Sequence, residues 1–150
     1  TILMAEDFAT ISNLNFGIIV DELIQTNNSG HISRTIFTLL EMLKAYDITR
    51  NQVLLEEAIR LADWLMQTDK TDISLINLLQ CYYRKRELNV EEENVLEDMI
   101  ARNREDKQIC AAAYILLGKS KKARSIIGIL SDEQKKIFED YPIYAMIKDR

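Results

Sequence analysis

Residues 110–130 read CAAAYILLGKSKKARSIIGIL. Eight apolar residues run from Cys110 to Leu117, Gly118 interrupts them, and a second apolar stripe follows through Ala123, Ile127 and Leu130. Gly tolerates the positive φ that closes a helix, so the stretch predicts a helix ending at Gly118, a tight turn and a second helix from about residue 121. The alanines stand where two helix backbones must approach closely. Short loops join neighbouring antiparallel helices, which makes this stretch a helix hairpin.

The rest of the chain agrees with an all-α fold. It has 150 residues, 47% apolar and 29% charged, enough for one domain with a sizeable core. Only 4 Gly and 1 Pro are present, too few for the many turns of an all-β fold. Working back from residue 110, helices are expected over 90–102, 73–86, about 50–67, 33–46 and 13–26, with a polar loop at 27–30. Residues 1–12 read as a weakly patterned lead-in. In the helix over 50–67, Leu54, Ala58, Leu61, Ala62 and Leu65 form one buried stripe at helical spacing. In the helix over 13–26, Leu14, Ile18, Ile19 and Leu23 are the expected buried side.

Three capping boxes are expected: Thr49 with Gln52, Asn89 with Glu92, and Ser131 with Gln134. The last opens an eighth helix that Tyr141-Pro142 ends. A short turn over 143–148 follows. The total is about eight helices in a single domain.

Tyr46, Tyr82 and Tyr114 recur near the ends of the first helices of successive pairs, 36 and 32 residues apart. A helix pair repeating every ~34 residues resembles the tetratricopeptide (TPR) repeat. Ala111, Tyr114, Gly118, Ala123 and Ile127 carry the resemblance best. The middle pair departs from it, with Arg86 where the motif has Gly. The resemblance implies a right-handed array of antiparallel hairpins that binds a protein or peptide partner in the groove lined by the first helices. The family's carboxylate clamp is not expected, because only Asn77 falls in register. The second helix would line the groove with Phe37, Leu40 and Lys44. The fourth would add Ile73, Ile76, Asn77, Gln80 and Tyr83, and the sixth Gln108, Ala112 and Ile115.

Other functions have weaker support in the residues. His31 is the only histidine, and neither Cys81 nor Cys110 has an activating base or metal-type spacing, so catalysis, a cofactor and a metal site are not expected. The carboxylates Glu91, Glu92 and Glu93 open a helix, where its dipole favours them. The glycines are isolated and form no phosphate loop. Two basic clusters, Arg84-Lys85-Arg86 and Lys119, Lys121, Lys122 and Arg124, define a candidate patch for a nucleic-acid-associated regulatory domain. The net charge of −5 and the scarcity of interleaved aromatics argue against that use.

No apolar run approaches the ~20 residues of a membrane span, and the N-terminus lacks a secretory pattern, so a cytoplasmic setting is expected. The chain starts at Thr1, and the helix over 13–26 has no expected partner before it. Both features suggest the C-terminal part of a larger bacterial regulatory or effector protein, with a native start at Met4 as the alternative. A tail exposing Tyr141, Ile143, Tyr144 and Ile147 would favour homo-oligomers, and so a structural or dimerisation domain.

Overall fold

In the computed structural model, residues 2–26 and 31–147 are described, and the expected loop at 27–30 lies outside them. They form nine α-helices and no strand. These are α1 (Ala5–Thr10), α2 (Asn13–Gln25), α3 (Ile32–Thr49), α4 (Gln52–Thr68) and α5 (Asp72–Lys85), then α6 (Val90–Arg102), α7 (Lys107–Leu116), α8 (Ser120–Gly128) and α9 (Asp132–Asp140). A 3-10 turn, Tyr144–Met146, follows. The chain divides into two compact units, Thr1–Cys81 and Tyr82–Arg150. The division falls inside α5, the first helix of the pair that departs most from the repeat pattern. Among the described residues, α5 packs on no other helix as closely as α3 packs on α4 or α7 on α8.

In the first unit, α3 and α4 form a hairpin, α1 lies on α3, and α2 lies on α4. The lead-in is therefore not unstructured. Residues 5–10 form a short helix whose one buried side chain, Phe8, is 1% exposed. The helix over 13–26 is not unpartnered either, since α2 packs against α4.

The buried side of α2 differs from the expected one. Phe16 and Val20 are fully buried, Ile19 and Leu23 are half-buried, and Leu14 and Ile18 are exposed. The buried pair lies about 200° round the helix from Leu14 and Ile18. Polar bonds help hold this orientation. Arg60 on α4 pairs with Asp21 at 2.8 Å and donates to the Gly17 carbonyl at 3.1 Å. Asn51 Nδ2 donates to Asn13 Oδ1 at 2.7 Å. Hydrogen bonding to Glu57 is the main reason the Arg60 guanidinium holds its proton more tightly than usual.

The expected α4 stripe is buried as a whole, and Leu55 and Ile59 widen it. The helix starts later than expected. Thr49 is the last residue of α3 and donates its hydroxyl to the Ala45 carbonyl. Asn51 is the cap, accepting from the N–H groups of Val53 and Leu54. The α3 helix continues until Arg50 turns left-handed (φ 56°), with its guanidinium over the Tyr46 ring. The other two boxes form as expected, Asn89 with Glu92 and Ser131 with Gln134.

Glu41, 3% exposed, joins α1 to α3. Its Oε1 accepts the Ala5 N–H in the first turn of α1 at 3.2 Å, and its Oε2 meets Lys44 Nζ at 2.9 Å. Lys44→Ala leaves the buried carboxylate without that cation, and we expect a loss of about 1–3 kcal/mol in urea unfolding. Glu41→Gln together with Lys44→Ala should recover part of it. Equal losses in the single and double variants would disprove the coupling.

In the second unit, α7 is the centre. It packs on α6 and α8 and against the 3-10 turn, which also contacts α9. Gly118 adopts φ 76°. Its N–H donates to the Ile115 carbonyl, and the Lys119 N–H reaches back to that of Tyr114. This is the paired-bond helix end that the Gly predicted. The tail is packed rather than open: Pro142 and Ile143 are buried, and Tyr141, Tyr144 and Ile147 are half-buried. Phe138 makes edge contacts with both tyrosines.

Candidate functional site

The expected groove residues have unequal exposure. Phe37 is 40% and Ile73 50% exposed, and Leu40 and Lys44 are half-buried. Ile76, Asn77 and Gln80 are buried in the first unit, with Gln80 Nε2 donating to Asn77 Oδ1 at 3.1 Å. A buried amide pair of this kind supports the fold and offers a ligand little surface. Tyr83 belongs to the second unit and is half-buried. Ala112 and Ile115 are buried there too, and Gln108 is half-buried. Of the expected groove residues, Phe37 and Ile73 are the large apolar side chains left open.

Several basic-cluster side chains are engaged within the second unit. Arg86 makes a two-pronged bond to Glu92 at 2.8 and 3.0 Å and lies over the Tyr82 ring. Hydrogen bonding to Arg86 is the main reason the Glu92 carboxyl sits below its ordinary range. Arg84 donates to the Pro142 carbonyl, Lys119 pairs with Glu97 at 3.0 Å, and Lys122 stands over the Tyr114 ring. Lys85, Lys121 and Arg124 are exposed. Glu92 and Glu97 are five residues apart on α6, so the clusters are tied to sides of that helix about 140° apart. Internal pairing on separated sides does not make the continuous cationic track that a phosphate backbone needs.

A hollow that the sequence did not suggest lies between α6, α7 and α8. Its volume is about 460 Å³. Glu97, Ile100 and Ala101 of α6 line one wall, and Arg104 of the α6–α7 connector extends it. Lys107, Cys110 and Tyr114 come from α7, and Ile126 and Ile129 from the α8 end. The helical spacing was legible in each segment, but only packing sets the three rows side by side. The Cys110 thiol is 5% exposed and donates to the Asn103 carbonyl at 3.1 Å. Burial, with a smaller contribution from Asp106, pushes its pKa up, which favours the thiol over the nucleophilic thiolate.

A second hollow, about 380 Å³, lies in the first unit, lined by Ile2, Leu3, Ile19, Leu23, His31 and Arg34 among others. His31 is half-buried at its edge. Among the described residues, no group of three or more His, Cys, Asp or Glu side chains could hold a metal ion, and no helix is long and apolar enough to cross a membrane. Compared with protein families, curated proteins and solved structures, the chain matches none.

Proposed function

We propose that this chain is a non-catalytic protein- or peptide-interaction scaffold of a regulatory or effector protein, built as a TPR-like right-handed array of hairpins. One observation carries the reading. In the first unit, α1 lies on α3 and α2 on α4, a packing between neighbours compatible with stacked helix pairs, and large apolar side chains are left in water. Leu14 is 86% exposed, Ile48 78% and Ile18 56%, beside Phe37 and Ile73. Stacking neighbours bury each hairpin's inner face and leave extended outer faces for recognition. Leu14 and Ile18 stand one turn apart on α2, so these two share an exposed apolar strip that a partner could cover.

The test is capture of partners from cell lysate on the immobilised chain at low and high salt. Phe37→Asp and Ile73→Asp serve as controls, since both positions are open enough for the fold to survive. We expect protein retained at high salt and released by at least one of the two variants. Nucleic acid retained at low salt alone would overturn the reading in favour of the basic clusters. Retention of nothing would favour a structural or dimerisation domain.

A further inference from the structure

The hollow between α6, α7 and α8 has a direction. The α6–α7 connector and the first residue of α7 bring Arg104 and Lys107 to one end, beside Ile129 just after α8. The other end is closed by the Glu97–Lys119 pair at 3.0 Å, with Lys122 over the Tyr114 ring nearby. Between the ends lie Ile100, Ala101 and Ile126. Ala101 is exposed and small, which permits close approach of a partner backbone, and Ile129 is 64% exposed. The α7 row, Lys107, Cys110 and Tyr114, covers seven residues' rise, ~10 Å, or about two helical turns.

The charge at the open end is one-sided. Arg104 and Lys107 are exposed, and among the described residues neither has an ion pair. Their acidic neighbours Glu105 and Asp106 do not line this hollow; they line an adjoining one, which Lys107 shares, with Gln108, Leu130 and Gln134. The Asp106 carboxylate also accepts the Ile109 N–H as the α7 cap. An apolar trough two turns long with two cations at one end complements an amphipathic helix with an apolar stripe and carboxylates at one end.

The geometry points to this trough as the docking site for an acidic amphipathic helix of a partner protein. The inference rests on the interaction-scaffold reading and names for it a site in the second unit that does not use Phe37 or Ile73. Apolar anchors at i, i+3 and i+7 lie along Ile100, Ala101 and Ile126, and Ile129 packs beside the last of them. A carboxylate on the partner's final turn then meets Arg104 and Lys107.

Two labelled synthetic helical peptides test this against the full chain by fluorescence anisotropy. They share a Leu stripe at i, i+3 and i+7 and carry either Glu or Lys around the last Leu. We expect the Glu peptide to bind at least about tenfold more tightly at low salt, with the margin shrinking as salt rises. R104E/K107E should invert the preference, and Ile129→Asp should weaken both peptides; circular dichroism checks that each variant is folded. Equal binding of both peptides, or indifference to R104E/K107E, would overturn the site. If the peptide is released by Phe37→Asp or Ile73→Asp instead, this site fails while the scaffold reading stands. Binding of neither peptide also overturns the site, and the lysate experiment then judges the scaffold reading alone. A dimer in sedimentation that Ile129→Asp dissociates would make a second copy the occupant and overturn the proposal.

Discussion

Phe8→Ala lowers the stability of the first unit by about 3–5 kcal/mol in urea unfolding. The α1 helix has six residues, too few to hold a helical form alone in water. Its order depends on what it buries, and the one side chain it buries is Phe8, at 1% exposure against α3. Truncating the ring removes that anchor and leaves a cavity beside the α3 core. A second loss follows when α1 detaches, because the buried Glu41 carboxylate then loses the Ala5 N–H. Hydrogen exchange of the α1 amides should rise well before global unfolding, marking α1 as the weakest part of the unit. A stability change below about 1 kcal/mol would show that Phe8 does not anchor α1.

Ala123→Leu destabilises the second unit by about 1–3 kcal/mol, although Leu and Ala are both good helix formers. Ala123 is fully buried on α8, and α8 packs against α7, whose Ala111 and Ala113 are fully buried as well. A methyl-sized side chain at position 123 lets the two helices approach closely. A Leu there must leave its preferred rotamer or push α8 outward. Ser125→Leu, at an exposed position of the same helix, should change stability by no more than about 0.5 kcal/mol. The displaced α8 carries Ile126 and Ile129, so Ala123→Leu should also weaken peptide docking in the trough. Thermal unfolding of the pair of variants, read beside peptide anisotropy, separates packing from helix propensity. Equal behaviour of the two variants would mean that the α7–α8 contact is loose enough to accept Leu.

Both variants depend on small or single side chains that mark helix contacts. In the C-terminal hairpin that mark is visible in the letters themselves. In α1 it is not: a six-residue helix shows less than two full turns of periodicity, and the sequence AEDFAT offers one large apolar anchor, Phe8, after two acidic residues. The same limit explains α2. Leu14, Phe16, Ile18, Ile19, Val20 and Leu23 surround much of that helix, so the pattern allows more than one buried side. The choice fell to α4, which packs against α2 while Arg60 reaches Asp21 and the Gly17 carbonyl.

Local chemistry was enough where the responsible atoms lie within a few residues of one another. The all-α class, the Asn89–Glu92 and Ser131–Gln134 boxes, the left-handed Gly118 and the α4 stripe all follow from contacts three to seven residues apart. Thr49 shows the edge of that reach: its hydroxyl can cap the next helix or bond back to Ala45, and the longer α3 helix takes the second course. The candidate sites depended on more distant contacts. Burial of Asn77 and Gln80, pairing of Lys119 with Glu97 of α6, and the joining of three helical rows into one trough depend on which elements meet. The sequence by itself therefore determined the all-α class, most helix ends and the clearest apolar stripes, because hydrogen bonds and side-chain spacing within one segment are local. Only the tertiary structure decided which stripes remain in water to bind a partner, because burial is settled by the neighbour that arrives to cover them.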